Sequence, residues 1–223
     1  MVPTCPEWTA ADLVQHLGTV HRWAAGQVKV LTPKRISSAQ MDLQEPADDA
    51  GRPAWLEAGA ALLVDVLRAA DPDAEMWAWG PDRHVRFWPR RQLHETAVHR
   101  TDAEFTLGRE PEIDRAVAID GVDEFLDNLP AAARWAPRVA ELVGDGERLA
   151  LRCTDADVAW TIRLSPEGFG WDHADDGADA TVEGTASDLV LFAYGRRSTE
   201  DTGRFKVSGD AALVGFWRER SSI

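Results

Sequence analysis

Cysteine is scarce in this chain: only Cys5 and Cys153 occur, far apart in sequence. Neither belongs to a C-x-x-C pair, so a thiolate zinc site or a redox dithiol is not indicated. A disulfide is not expected in a reducing cytoplasm. Lysine is nearly missing, with Lys29, Lys34 and Lys206 its sole representatives. The other positive charges are arginines, and with abundant Ala, Asp and Gly this composition points to a high-GC bacterial, actinobacterial-type genome. The net charge is -14. A nucleic-acid or anionic-membrane partner needs a basic surface, so neither is expected. No apolar run is long enough to span a bilayer. The opening Met1-Val2-Pro3-Thr4-Cys5-Pro6 has no basic start and no apolar stretch, so it does not read as a secretory signal. The expectation is a soluble cytoplasmic protein.

What is present suffices for a packed core. The chain has 223 residues, of which 44% are hydrophobic; that length fits one large domain or two small ones. Thr9 is a good N-cap, with Asp12 three residues on as a short-armed capping box. Leu13, Leu17, Val20 and Ala24 then recur at helical spacing, predicting a helix from Thr9 to Val28. Residues 32–53 read as a loop. A second helix is predicted over Pro53–Ala70, with Pro53 in its first turn. A third is predicted over Arg90–Phe105, after the tryptophan-dense stretch Trp77-Ala78-Trp79 and Phe87-Trp88-Pro89. Leu107-Gly108-Arg109-Glu110-Pro111 is the best linker candidate. Beyond it the pattern changes. Gly121–Leu129 reads as helix, and Leu149–Cys153 and Val158–Leu164 alternate like strands around a turn at Asp155-Ala156-Asp157. Two short strands follow at Phe169–Trp171 and Ala180–Glu183, then a helix over Ser187–Tyr194. Helices first and a helix–strand mixture second predict an α+β protein of two domains, 1–106 and 116–223, joined by a linker at 107–115.

His94-Glu95-Thr96-Ala97-Val98-His99-Arg100 is the most informative segment. Helical residues turn by about 100° each, so Glu95 and His99 lie about 40° apart and share a face. His94 points elsewhere. The facing pair is thus a carboxylate and an imidazole, not the two histidines of the H-E-x-x-H pattern. Asp102 falls on the same face and is placed to orient His99. Two ligands do not close a metal site. The first helix offers His16 and His21, about 140° apart, and periodicity favours His16 only slightly. On the residues alone, Glu95 and His99 read first as an ordinary helical ion pair and only second as metal ligands.

A resemblance bears on that choice. Pro3-Thr4-Cys5-Pro6-x-Trp8-Thr9-x-x-Asp12-Leu13-x-x-His16-Leu17-Gly18 resembles the opening of the mycothiol-dependent maleylpyruvate isomerase family. Phe87-Trp88-x-Arg90-Arg91-x-x-His94-Glu95-Thr96-Ala97-x-His99-Arg100-x-Asp102-Ala103-Glu104 is similar to its second signature. Gly184-x-Ala186-Ser187-Asp188-Leu189, Gly195-Arg196-Arg197 and Val207-x-Gly209-Asp210-Ala211-Ala212-Leu213 resemble its C-terminal domain. The resemblance implies a DinB-like helical bundle followed by a small sterol-carrier-like α+β domain. It implies a divalent metal, zinc above all, on His16, Glu95 and His99, with mycothiol as thiol cosubstrate. The family carries a full helix before the P-T-C-P segment, whereas this sequence starts at that segment. The expectation is therefore a bundle lacking its first helix, whose open face is covered by an upstream extension, another segment or a second subunit in a homodimer.

Arg196 and Arg197 follow the apolar helix of the second domain. They read either as an anion clamp for the substrate and thiol or as surface arginines favourable to a helix C-terminus. The resemblance favours Arg196 as the residue that approaches the metal and acts in catalysis. Cys5 reads as a loop cysteine, and Trp77, Trp79 and Trp88 as core. The acidic run Asp172–Asp179 reads as a solvated loop. Two histidines and a carboxylate leave a metal with an open position. The leading expectation is a metal-dependent, mycothiol-using isomerase or S-transferase acting on a small maleylpyruvate-like electrophile. The alternatives are a metal-assisted hydrolase and a non-enzymatic small-ligand binder.

Overall fold

A computed structural model of the chain describes residues 1–174, 177–201 and 203–223. They form two compact units, Met1–Pro111 and Glu112–Ile223. Among the described residues no helix is long and apolar enough to cross a membrane.

The first unit is helical. Helix α1 spans Ala10–Val30, α2 Arg52–Ala69 and α3 Phe87–Thr106. The sequence explains how α1 starts: Thr9 accepts from the Asp12 backbone while Asp12 reaches back to Thr9, closing a capping box. Its apolar stripe of Leu13, Leu17, Ala24, Ala25 and Val28 is buried. Helix α1 packs against both α2 and α3. The approach to α2 depends on Gly18, where a Cβ would lie 2.0 Å from the Trp55 ring. Arg22 fills the next layer. Its guanidinium lies 4.4 Å over Trp55 and donates to the Trp55 and Gly18 carbonyls. Further along α1, Ala24, Ala25 and Val28 join Leu63, Met76, Ala78, Val85, Phe87 and Trp88 in one core, with Trp23, Trp77 and Trp79 against it. Leu62 and Val64 on α2 and Leu93 on α3 stay exposed.

Helix α3 shows weak amphipathic patterning for a visible reason. Phe87, Trp88, Arg91, Gln92, His94, Val98, His99, Thr101 and Asp102 are all buried, and they point in most directions around the axis. A helix buried on most sides carries little one-sided signal.

The second unit holds a five-stranded sheet with helices. Helix α4 (Arg115–Ala132) precedes β1 (Arg148–Cys153), β2 (Ala159–Ser165), β3 (Gly168–Asp172) and β4 (Ala180–Gly184). Helix α5 (Ala186–Ala193), β5 (Lys206–Gly209) and α6 (Ala211–Arg220) complete it. The strand order is β3-β2-β1-β4-β5. Strands β1 and β4 are parallel, and the other pairs are antiparallel. In register, Leu149 faces Ile162 and Leu151 faces Trp160, all buried. Helix α5 packs on α4 and on β1 and β4. Glu124 of α4 is buried in that layer, where it accepts from the Asn128 amide and the Tyr194 hydroxyl.

Helix α4 starts earlier than its apolar pattern predicts, because Asp114 caps it by accepting from the Ala116 and Val117 backbones. Strand β5 and helix α6 carry too little patterning to be read from sequence: all four residues of β5 are exposed. Of the acidic run Asp172–Asp179, Asp172 ends β3, while Asp175 and Asp176 lie outside the described residues.

Candidate metal centre

Helix α3 runs alongside α1 so that His16 stands level with Glu95 and His99. Glu95 Oε1 is 2.9 Å from His16 Nε2 and 3.4 Å from His99 Nε2. The ligating atoms of these three residues all lie within 4.8 Å of one another. Donor atoms on a tetrahedral zinc stand ~3.3 Å apart, given bonds of about 2.0 Å. The two contacts to Glu95 are near that spacing, and the donors are of the types zinc accepts. Among the described residues it is the one group of His, Cys, Asp and Glu side chains converging in this way.

Two of the three, Glu95 and His99, are held from behind. Arg91, one turn before Glu95, donates from Nη2 to Glu95 Oε2 at 3.1 Å. Its guanidinium also lies 5.9 Å from the Trp79 ring centroid. Oε2 is thus engaged, and Oε1 is the oxygen turned to the histidines. His99 Nδ1 stands 2.8 Å from Asp102 Oδ2. With Nδ1–H donated there, the His99 Nε2 lone pair faces the cluster, which is the tautomer a metal requires. The Trp8 ring lies 4.8 Å from the His16 ring and stacks on His99 at 5.8 Å.

The electrostatics fit a cation. Burial alone pushes the Glu95 carboxyl up, but hydrogen bonds from His16 and His99 and the charge of Arg91 outweigh it and hold Glu95 well below the usual carboxylate range. For His99, burial pushes the imidazole down, while hydrogen bonds to Asp102 and Glu95 raise it above its ordinary value. Both of its ring nitrogens face carboxylates. Metal-free, the ring therefore holds its second proton more readily than an ordinary imidazole. A metal ion would replace the one on Nε2.

The other candidates fall elsewhere. His21 is buried and pairs with Thr96 Oγ1 at 3.0 Å, outside the cluster. Burial lowers its proton affinity. His94 is buried too and does not belong to the cluster. Arg196 and Arg197 are in the second unit. Arg196 is half-buried, with Nη1 donating to the Tyr194 carbonyl at 2.8 Å. Arg197 is buried, with Nε 3.0 Å from Asp188 Oδ1. The roles of Arg91, Thr4 and Trp8 escape sequence reasoning. Arg91 does leave a trace, since it sits four residues before Glu95 on the same helical face. Thr4 and Trp8 stand in the opening motif, but nothing local marks what they touch, because only the fold brings residues 1–8 to α3.

Two family models match the chain. The family model described as the mycothiol maleylpyruvate isomerase N-terminal domain matches residues 1–104. The MDMPI C-terminal domain model matches residues 116–216. No curated protein matches the chain. Among solved structures, the chain is similar to a UbiJ-SCP2 ubiquinone synthesis protein at 18% identity and a TM-score of 0.35, over 50% of this chain and 93% of that one. It is also similar to the inverting sec-alkylsulfatase Pisa1 from Pseudomonas sp. at 17% identity and a TM-score of 0.38. That match covers 93% of this chain and 32% of the sulfatase.

Proposed function

Because the chain belongs to the mycothiol maleylpyruvate isomerase family, we propose that it is a metal-dependent enzyme using mycothiol as thiol cosubstrate. It acts as an isomerase or S-transferase on a small electrophilic, maleylpyruvate-like substrate. One divalent ion, zinc by donor type, is held by His16, Glu95 and His99. The observation that carries this reading is the convergence of two imidazole Nε2 atoms on one carboxylate oxygen, with Arg91 and Asp102 behind them.

A divalent metal held by His16, Glu95 and His99 would supply one thing: it would lower the proton affinity of a thiol beside it, so that a thiolate would be available at neutral pH. The chain's own residues do the rest. Glu95 and the histidines fix the ion, and Asp102 and Arg91 fix the ligands. In the isomerisation, the thiolate sulfur bonds to one carbon of the cis double bond, and the π pair moves onto the conjugated carbonyl as an enolate. Rotation about the resulting single bond follows. The electron pair then returns, the C–S bond breaks, and the thiolate leaves the trans product. In an S-transfer, the enolate takes a proton instead and the C–S bond stays. Arg196 is the proposed clamp for a substrate carboxylate. Its guanidinium can pair with two oxygens at once, and its bond to the Tyr194 carbonyl restricts its motion. Arg197, paired with Asp188, would steady the same turn and its hold on the thiol.

The test begins with metal analysis of purified protein, where about one equivalent is expected. His99→Ala should remove most of it, while His94→Gln, checked for folding by circular dichroism, should retain it. Equal losses would mean that the wrong histidine was chosen. Incubation of zinc-loaded protein with mycothiol and maleylpyruvate should then give the trans isomer with no net thiol loss. A transferase would instead consume thiol with an electrophilic acceptor. Turnover that is zinc-dependent but indifferent to thiol would favour a hydrolase. A protein that retains no metal would favour simple ligand binding.

A further inference from the structure

The first eight residues form a closed turn rather than a loose tail. The Val2 N–H donates to the Trp8 carbonyl at 2.8 Å, and the Trp8 N–H donates to the Cys5 carbonyl at 2.8 Å. The Cys5 N–H donates to the Val2 carbonyl at 3.1 Å. The Val2 side chain is fully buried, so the turn is pinned at its start.

Three side chains reach the metal centre from this turn. Thr4 Oγ1 donates to Asp102 Oδ1 at 2.5 Å. Cys5 Sγ lies 3.8 Å from Asp102 Oδ2. Trp8 covers both histidine rings. Asp102 is 0% exposed. A carboxylate so buried needs both oxygens satisfied. Its Oδ2 holds the ligand His99 at Nδ1, and its Oδ1 holds Thr4. The plane of the carboxylate, and with it the direction of the His99 ring, is therefore set from both sides. Removing the hydroxyl would take away one of the bonds that fix the carboxylate and loosen its plane. The His99 lone pair would then lose its aim.

We propose that Thr4 is a positioning residue for the metal, and that residues 2–8 are a latch closed on ligand His99 through Asp102. Metal occupancy and latch closure are then coupled. The coupling is reciprocal by thermodynamic necessity: what the latch adds to metal affinity, the metal returns to the latch. The proposal rests on the metal reading of the same three ligands, and its test separates the two.

The experiment uses the full chain and zinc, with affinity measured by competition against a chromophoric chelator. Thr4→Val keeps the shape and removes the hydroxyl, and Thr4→Ser keeps the hydroxyl. Losing a group that orients a ligand typically weakens metal binding ~10–100-fold, and Thr4 acts one bond further out, so ~10-fold is expected for Thr4→Val. Thr4→Ser should bind as the parent does. A merely structural threonine would lower the melting temperature of zinc-free and zinc-loaded protein alike and leave zinc affinity unchanged. The reverse arm follows Cys5, which lies in the latch and is partly exposed. Zinc should slow its alkylation by iodoacetamide, and should slow it less in Thr4→Val. Cys153 does not confuse the readout, since burial pushes its thiol up to about 11. Unchanged zinc affinity in Thr4→Val, or Cys5 alkylation indifferent to zinc, overturns the latch alone. A parent protein that binds no zinc overturns the metal reading and the latch together.

Discussion

Arg91→Met would show how the proposed metal centre balances its charge. The arginine side chain is 7% exposed and the Glu95 side chain 20%, with 3.1 Å between Nη2 and Oε2. Methionine keeps much of the length and apolar stem but removes the charge and the donors. Breaking a buried pair by deleting one partner costs roughly 3–5 kcal/mol, because the remaining charge is left uncompensated. Here the low end applies, about 3 kcal/mol, since Glu95 retains His16 at 2.9 Å on its other oxygen. That loss refers to metal-free protein. When zinc is bound, the cation itself compensates Glu95, and the freed Oε2 is available to it. The zinc-loaded variant should therefore lose much less, about 1 kcal/mol for the packing of Arg91 near Trp79, on the scale of an exposed cation–π contact.

The assay is urea unfolding of chelator-treated and zinc-loaded protein, parent against variant. The expected result is a stability gap between parent and variant that shrinks by about 2 kcal/mol when zinc is present, on the magnitudes above. By linkage, a ligand that stabilises the variant more binds it more tightly, so zinc affinity should rise by roughly tenfold or more, at 1.4 kcal/mol per factor of ten. Thiol affinity should fall in the same variant, because the released Oε2 can compete for the open position. Equal destabilisation with and without zinc would refute the reasoning and make Arg91 a packing residue.

Other outcomes follow from the same geometry. Arg196→Ala should lower turnover and leave zinc content intact, with lysine rescuing only partly because it lacks the planar fork; an unchanged rate would refute the clamp. Gly18→Ala should destabilise the first unit in a thermal melt, because the 2.0 Å approach to Trp55 brings an overpacking cost of roughly 1–3 kcal/mol. That exceeds most of the helix-propensity gain of about 0.8–1 kcal/mol, so a more stable variant would show that Trp55 moves freely. In metal-free protein, the raised proton affinity of His99 adds stability that is fully present below its ordinary value of 6.5 and is lost as pH rises through the folded-state value. Glu95 has the opposite sign: its lowered value adds stability that is present above the ordinary 4.5 and is lost in acid. Zinc displaces the His99 proton, so zinc affinity should fall as pH falls, and a flat pH profile in a chelator competition would contradict the ligand assignment.

Much of the helical unit is legible in sequence because its signals are local. The capping box at Thr9 and Asp12 sets the start of α1, and spacing alone finds the stripe that packs on its neighbours. Pro53 likewise marks the first turn of α2. Legibility fails where burial is not one-sided or does not exist. Strand β5 is exposed at every residue and shows no alternation. Its place in the sheet comes from pairing with β4, a contact between residues more than twenty positions apart. Helix α4 extends beyond its apolar core because of one cap, Asp114, whose meaning depends on the backbone it meets.

The metal centre divides along the same line. Glu95 and His99 are neighbours on one helical face, and arithmetic finds them. The choice between His16 and His21 lies beyond arithmetic, since both flank the α1 stripe and both meet α3. What decides it is register. The rise of α1 against α3 sets His16 beside Glu95 and His21 one turn further along, beside Thr96. Near that contact, Gly18 lets α1 lie close on Trp55 of α2, and Thr4 is bonded to Asp102 of α3. A glycine two residues from a proposed ligand and a threonine before the first helix carry no metal signature of their own. They acquire one only when the chain has folded, which is why their effect should be sought in zinc affinity as well as in turnover.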